Sequence, residues 1–219
     1  MCGSPTGAPC PGCAGRLLPA HVVPPPEGLE LCRSLFLYQG TARRLVTTLK
    51  YRNDRATLSW LADGLASLCQ PPTDGSVTWA PTSRRRRRRR GFDQAELLAR
   101  ALARRWNVSC LRLLARRGGG DPQTGSSAVE RKRGPAFLAL GPVPGAVVVV
   151  DDVITTGSTL SAAGRALHTG GARWVAGLTV AQTGLAPSRA DKSLKSPREF
   201  AEDRHGCKSR PHRPGGCSR

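Results

Sequence analysis

Two adjacent carboxylates follow a run of four valines in the stretch VVVVDDVITTGST, which begins at Val147. Asp151 and Asp152 are acceptors for hydroxyl groups and ligands for a hard cation. Small, hydroxyl-bearing residues and one glycine come next: Thr155, Thr156, Gly157, Ser158 and Thr159. At the start of a helix, such a turn offers N–H groups and hydroxyls to a phosphate. The stretch therefore combines acceptors for a diol with a cradle for a phosphate, which is what a ribose 5-phosphate requires.

A simpler interpretation exists for each part of this stretch. Asp151 alone would serve as a residue that leads into a helix, and the threonines and glycine alone would make a turn. The stretch also lacks the GxxxxGK[ST] pattern of a nucleotide-binding P-loop. The doubled aspartate, followed by TTGST directly after four valines, favours the binding site over the plain turn.

The elements around the stretch explain how it would be positioned. Four β-branched residues without alternation indicate a strand that is covered on both faces, and ligands of open α/β sheets bind beyond the carboxyl ends of such strands. Residues 159–168 have the pattern of a helix ended by Gly170 and Gly171, and residues 173–181 that of a second apolar strand. The sequence predicts a right-handed strand–helix–strand unit here.

The rest of the chain continues this alternation. Apolar spacing predicts helices around residues 45–49, 58–68 and 92–106, short strands at 77–80 and 108–114, a turn-rich loop at 118–127 and a short helix at 127–133. We therefore predict an α/β fold with a mainly parallel sheet flanked by helices. The chain shows neither an apolar run of about 18 residues nor the layout of a signal peptide, so we expect a cytoplasmic protein without a membrane span.

The net charge of +19 implies an anionic partner, either a phosphorylated small molecule or nucleic acid. Much of this charge lies in two segments, the seven-arginine run at residues 84–90 and the polar tail at 184–219, which we expect to be disordered. Such runs are usually solvated charge, and this one has no interleaved aromatic residues for base stacking.

Cysteines in the first 37 residues have the spacing of metal ligands. Cys10 and Cys13 form a CxxC pair, and a tetrahedral zinc site would be completed by Cys2 and Cys32. A degenerate segment with free thiols is the alternative. Because the chain is expected to be cytoplasmic, a zinc site or free thiols are each more expected than disulfides.

The stretch that starts at Val147 resembles the thirteen-residue phosphoribosyl pyrophosphate (PRPP) signature of type I phosphoribosyltransferases. The resemblance implies that Asp151 and Asp152 hold the ribose 2′- and 3′-hydroxyls and that Thr155, Thr156, Gly157, Ser158 and Thr159 hold the 5′-phosphate. It further implies Mg²⁺ as the metal bound with PRPP.

A wider resemblance, to the ComF family, covers residues 1–183. It rests on the N-terminal cysteines, GTARRLVTTLKYRND, the RGFDQ segment after the arginine run, DPQTGSSAVERKRGPAF and the PRPP signature, in that order. Family members join a small zinc-binding segment to a phosphoribosyltransferase-like domain and tend to carry two CxxC pairs. The partner of Cys2 would then precede Met1, so we expect the natural chain to begin earlier.

These resemblances imply a Cys-rich segment at 1–37, a phosphoribosyltransferase-like domain at 38–183 and an unmatched tail at 184–219. Arg90 would meet pyrophosphate, and Gln123 and Arg131 would lie on or beside a lid that closes over the site. No residue identifies the acceptor, so a ribose-phosphate binder without transferase activity stays open. The other alternative is a non-catalytic DNA-uptake accessory protein that binds single-stranded DNA or nucleotides, as the family's association with bacterial competence implies.

Overall fold

The computed structural model describes residues 9–49, 55–117 and 135–184. Six helices lie in these ranges: α1 (Pro11–Ala14), α2 (Gly40–Leu49), α3 (Arg55–Ala66), α4 (Arg84–Arg90), α5 (Gln94–Trp106) and α6 (Ser158–Thr169). The strands are β1 (Leu31–Leu37), β2 (Ser76–Trp79), β3 (Ser109–Cys110), β4 (Leu114–Arg117), β5 (Ala136–Ala139), β6 (Ala146–Ile154) and β7 (Trp174–Gln182). Within them, no helix is both long and apolar enough to cross a membrane.

The central sheet has five strands in the order β1-β7-β6-β2-β3, and every neighbouring pair is parallel. β4 and β5 form a separate antiparallel pair. This architecture confirms the predicted α/β fold with a mainly parallel sheet flanked by helices. The predicted Cys-rich segment ends at residue 37, so its last seven residues form β1 at the edge of this sheet.

The valines of β6 are buried on both faces of the sheet. Val148 and Val150 pack in one apolar cluster with residues of α2, α3 and α5, whereas Val147 and Val149 pack in a second cluster with residues of α6. All four are fully buried. Because side chains alternate along a strand, each helical layer receives every second valine, which explains the unbroken apolar run.

Two predicted elements differ in extent. The strand predicted at residues 108–114 is only the two-residue β3. Beyond β3, the amide of Leu111 donates to the carbonyl of Val77 at 2.9 Å and the amide of Leu113 to the side chain Oγ1 of Thr78 at 3.3 Å, and Leu114 begins β4. The seven-arginine run, expected as mobile solvated charge, forms α4, and none of its residues is buried. The predicted loop at 118–127, the short helix at 127–133 and the tail from residue 185 lie outside the described residues.

Candidate functional site

The acid pair lies near the carboxyl end of β6, in the middle of the sheet. Both carboxylates are half-buried, and Oδ1 of Asp151 accepts a hydrogen bond from the backbone amide of Asp152 at 2.8 Å. Burial raises the pKa of Asp151 well above its usual range, and the negative charge of Asp152 raises it further, although the amide of Asp152 opposes the shift. An ionised pair is therefore costly here until a cation or hydroxyl donors reach it.

The hydroxyl-rich turn connects β6 to α6. Gly157 is the N-cap of α6 with φ 77° and has no side chain to cap the helix, and the hydroxyl of Thr156 accepts a hydrogen bond from the amide of Ser158 at 3.4 Å. The first amides of a helix have no partner within it, so the remaining amides at this end of α6 are suited to an incoming acceptor. The hydroxyl of Thr156 donates to that of Ser158 at 3.1 Å, and both residues are exposed. A Cβ at position 157 would lie 2.7 Å from Cγ of Pro26, so the turn requires glycine for both conformation and space.

The acid pair and the turn face basic residues across one cavity of about 560 Å³. We call it the main cavity. Asp151, Asp152, Thr155 and Thr159 line one side, and the guanidinium-bearing residues that line it are Arg86, Arg89, Arg90 and Arg116. Carboxylates, hydroxyls and guanidinium groups therefore share one opening beyond the carboxyl ends of β2 and β6.

Arg90 is held at the edge of the main cavity by the first turn of α5. Its Nη1 donates to Oε1 of Gln94 at 2.9 Å, and Gln94 is itself 4% exposed. The Nε of Arg90 is buried without a hydrogen-bond partner among the described residues. A buried unpaired N–H is costly, so this group is suited to an incoming acceptor. The structure brings Arg90 to the same cavity as the acid pair.

Two charged residues that line the main cavity, Asp93 and Arg116, were not predicted from the sequence. Asp93 is 4% exposed and accepts hydrogen bonds from the amides of Thr82, at 2.8 Å, and Ala95, at 3.2 Å. It thereby joins the loop after β2 to the start of α5. An Asp immediately before a helical pattern is an N-cap signal that identifies it in the sequence.

Arg116 on β4 is the second missed residue. Its Nη1 donates to the carbonyl of Pro81 at 3.4 Å, and its guanidinium lies 5.7 Å from the centre of the Phe137 ring. Burial and the positive charge of Arg86 lower the pKa of Arg116, while Asp151 and Asp93 oppose the shift. No local sequence pattern marks Arg116, because its position depends on how β4 packs beside the loop after β2.

Among the described residues, Cys10, Cys13 and Cys32 are not brought together as a metal site. Cys10 is the N-cap of α1 and Cys13 lies within this helix. Cys32 is buried on β1 in the apolar cluster that contains Leu29 and Leu160, where burial raises the pKa of its thiol to about 11. Residues 9–49, 55–117 and 135–184 contain no group of three or more metal-ligating side chains. Cys2, Gln123 and Arg131 lie outside the described residues.

The main cavity, by contrast, has donors that fit a hard divalent cation. Asp151 and Asp152 supply carboxylate oxygens to this cavity, and their half-buried position makes a bound cation favourable. Mg²⁺ prefers one or two carboxylates together with phosphate oxygens and waters. These two residues would hold it with a phosphorylated ligand.

The chain is similar to a known protein family and to solved structures. The family model described as "Phosphoribosyl transferase domain" matches residues 89–205. The solved structure entitled "Structure of the allosteric regulatory enzyme of purine biosynthesis" is similar over 61% of this chain and 30% of that chain, at 21% identity and a TM-score of 0.45. No curated protein matches. The family model matches more than half of the residues of this chain, so the chain belongs to the phosphoribosyl transferase domain family.

Proposed function

We propose that this protein binds PRPP, or a related ribose 5-phosphate, with Mg²⁺ and transfers the phosphoribosyl group to an acceptor. The observation that supports this most directly is the main cavity itself. There the half-buried Asp151 and Asp152 and the N-terminal end of α6 share one space with several guanidinium groups. The ligand requires a diol, a phosphate and a diphosphate, and the cavity offers a partner of suitable chemistry for each.

In this proposal Asp151 and Asp152 accept hydrogen bonds from the ribose 2′- and 3′-hydroxyls. Hydrogen bonds to ionised groups are stronger than neutral ones, and two hydroxyl donors offset the cost of holding the pair ionised. The 5′-phosphate is bound by amides and hydroxyls of the turn, contributed by Thr155, Thr156, Gly157, Ser158 and Thr159. The positive end of the α6 dipole adds to this attraction.

The pyrophosphate end of the ligand is assigned to the opposite side of the main cavity. Arg90 donates to a diphosphate oxygen there, and Arg86 and Arg89 add positive charge along the same helix. By the resemblance to ComF proteins, Gln123 and Arg131 contribute from a segment that covers the bound ligand. Closure of such a segment excludes water and favours transfer over hydrolysis.

Transfer is a substitution at C1 of the ribose. The acceptor's lone pair forms a bond to C1 as the bond from C1 to the pyrophosphate oxygen breaks, and that electron pair leaves with pyrophosphate. A proton on the acceptor atom is lost to solvent. The chain's contribution is to hold both reactants in line and to stabilise charge on the leaving group with its guanidinium groups. When bound, Mg²⁺ supplies further positive charge to the phosphate oxygens.

We also propose that the chain is a ComF-type member of its family, with the division at residues 1–37, 38–183 and 184–219. Support comes from the order of its sequence segments rather than from the fold, because β1 belongs to both the Cys-rich segment and the sheet. Zinc binding by Cys10 and Cys13 would require ligands other than Cys32. Measuring zinc in purified protein, with and without Cys10→Ser, tests this part.

Calorimetric titration with PRPP and Mg²⁺ tests the main proposal. We expect saturable heat at micromolar to millimolar PRPP, and a weaker signal when Mg²⁺ is replaced by a chelator. Absence of heat at millimolar PRPP, with circular dichroism showing folded protein, would overturn the assignment. A screen for pyrophosphate release across nucleobases then separates a transferase from a ribose-phosphate binder.

The exposed arginine helix favours one second candidate, binding of single-stranded DNA. Arg84–Arg89 are exposed at the surface, where they are accessible to a phosphate backbone. Binding of this kind weakens steeply with salt, with a log–log slope of about −0.7 for each neutralised phosphate. A shallow slope, or no effect of deleting residues 84–89, excludes this candidate.

A further inference from the structure

α4 separates two basic cavities. Its arginines divide by helical period: Arg86, Arg89 and Arg90 line the main cavity, whereas Arg84 and Arg87 line a second cavity on the other side. This second cavity has a volume of about 380 Å³. A helix turns through 3.6 residues, so a run of identical residues supplies positive charge to both sides at once.

The second cavity combines positive charge with an apolar wall. Arg84, Arg87, Arg112 and Arg116 supply four guanidinium groups, and the apolar lining residues are Trp79, Pro81 and Ala115. Asp93 is the acidic residue in its lining. Burial raises the pKa of Asp93, and hydrogen bonds from backbone amides oppose the shift. With four guanidinium groups and one carboxyl in its lining, the cavity is electropositive.

These arginines are poorly neutralised by protein carboxylates. Among the described residues, Arg84, Arg112 and Arg116 have no ion-pair partner, and the distance from Arg87 to Glu96 is 3.9 Å. The groove between α3 and α5 differs, because Arg105 pairs there with Asp63 at 3.0 Å. Like charges that converge without a counterion repel one another, and a bound anion would relieve this repulsion.

The two cavities are adjacent. Pro81, Thr82, Asp93 and Arg116 line both of them. A molecule anchored in the second cavity therefore lies next to a ligand in the main cavity. The side chain of Arg116 lies at the junction, where it is within reach of both ligands.

We propose that the second cavity binds the anionic group of the acceptor, which is then a compound carrying a phosphate or carboxylate on an apolar ring or chain. This inference rests on the proposed function, because it assigns the main cavity to PRPP. Guanidinium groups bind both anions in a bidentate manner, and the apolar wall formed by Trp79, Pro81 and Ala115 packs against the rest of the acceptor.

The test uses the full chain saturated with PRPP and Mg²⁺, so that the main cavity is filled. Inorganic phosphate and benzoate are then titrated separately by calorimetry. The variant Arg84→Gln with Arg112→Gln removes two guanidinium groups that line the second cavity alone. Because charge-assisted hydrogen bonds are lost, we expect this variant to bind one of the two anions at least about 10-fold more weakly than the parent protein does. Its affinity for PRPP should stay within about two-fold of the parent's.

The matched control is Arg55→Gln with Arg104→Gln. It removes the same charge from the groove between α3 and α5. If the two variants weaken anion binding equally, or neither weakens it, the second cavity is not a site and the proposal is overturned. If the variant weakens the binding of phosphate alone, the acceptor carries a phosphate. If it weakens the binding of benzoate alone, the acceptor carries a carboxylate. Failure of the initial PRPP titration overturns the proposed function instead, and anion titration without PRPP still tests the second cavity.

Discussion

The carboxyl end of β6 and helix α4 are both rich in charge, but the fold holds them in different ways. Asp151 and Asp152 continue a strand whose valines are fully buried on both faces. α4 has no buried residue. Its ends are fixed by Ser83, whose hydroxyl accepts from the amide of Arg86, and by Gly91 in the left-handed conformation at φ 80°. The acid pair is positioned by the core, whereas α4 is positioned by two caps and by the contacts of Arg90 with Gln94 and of Arg87 with Glu96.

This difference teaches which charges are individually required. A carboxylate at a buried strand end has one position and one orientation, and its burial is unfavourable without a ligand. Each exposed arginine gains little from its neighbours, and like charges four residues apart destabilise a helix by about 0.2–0.5 kcal/mol. We therefore expect function to depend strongly on the identity of each acid and weakly on most of the arginines.

The largest expected effect is on the acid pair. Asp151→Asn with Asp152→Asn removes both ionised acceptors and should weaken PRPP binding by about 100-fold or more, because each hydrogen bond to a charged group contributes about 1.5–3 kcal/mol. Calorimetry with PRPP and Mg²⁺ measures this loss. The control Asp63→Asn removes a partly buried carboxylate that pairs with Arg105 outside the main cavity, and it should leave affinity within two-fold. Equal affinity of parent and double variant would refute the roles given to both aspartates.

The second-largest effect is expected for a substitution in the hydroxyl-rich turn between β6 and α6. Gly157→Ala forces an alanine into φ 77° and places its Cβ 2.7 Å from Cγ of Pro26. The left-handed conformation costs about 1–2 kcal/mol, so Tm should fall by roughly 2–8 °C. PRPP affinity should fall as well, because the turn that binds phosphate shifts. Gly12→Ala is the control, since nothing lies within 4 Å of its Cβ, and it should leave both Tm and affinity unchanged.

The sequence predicted the part of the site that is made by local pattern. β6, the hydroxyl-rich turn and α6 are contiguous, so an apolar run, a glycine and a helical period are enough to place them. β7 was predicted for the same reason. The fold class followed from the alternation of these elements along the chain.

The parts made by distant packing were not predicted. Arg116 reaches the site because β4 packs beside the loop after β2, a contact between segments 35 residues apart. β1 was included in the Cys-rich segment, although the apolar residues of Leu31–Leu37 are typical of a strand, and only its pairing with β7 shows that it belongs to the sheet. Local patterns carry no information about which segments meet.

A smaller effect distinguishes one arginine from its neighbours. Arg90 is the member of α4 that is held by Gln94 and has a buried, unpartnered Nε, whereas Arg85 lines neither cavity. Arg90→Ala should weaken binding of inorganic pyrophosphate with Mg²⁺ by about 5- to 20-fold, and Arg85→Ala by less than two-fold at 150 mM salt, where exposed charges are screened. If the two variants lose affinity equally, α4 acts only through its total charge.

The last prediction concerns the stability of the protein without ligand. The direction in which Asp151→Asn changes Tm tests whether the ionised acid pair is unfavourable in the folded protein. Burial and Asp152 raise the pKa of Asp151 in the folded protein, so folding favours the protonated carboxyl. Stability associated with Asp151 is then complete below the ordinary aspartate pKa of about 4 and is lost as pH rises through the higher folded pKa. Asn at position 151 does not ionise, so Asp151→Asn removes this pH-dependent loss of stability. Without ligand, the variant should therefore melt at a higher temperature than the parent at pH 8, and the difference should shrink toward zero by pH 3.

The control Asp63→Asn is not expected to raise Tm. The pair of Asp63 with Arg105 contributes about 0–1 kcal/mol, so Asp63→Asn should leave Tm at pH 8 unchanged or slightly lower. Saturating Mg²⁺ with PRPP should reverse the order of parent and Asp151→Asn, because the bound ligand stabilises the ionised pair that the variant lacks. If Asp151→Asn is less stable than the parent at pH 8 without ligand, the carboxylate is already satisfied by the protein. The acid pair would then be a structural feature of the strand end, comparable to a cap, and the contrast with α4 would disappear.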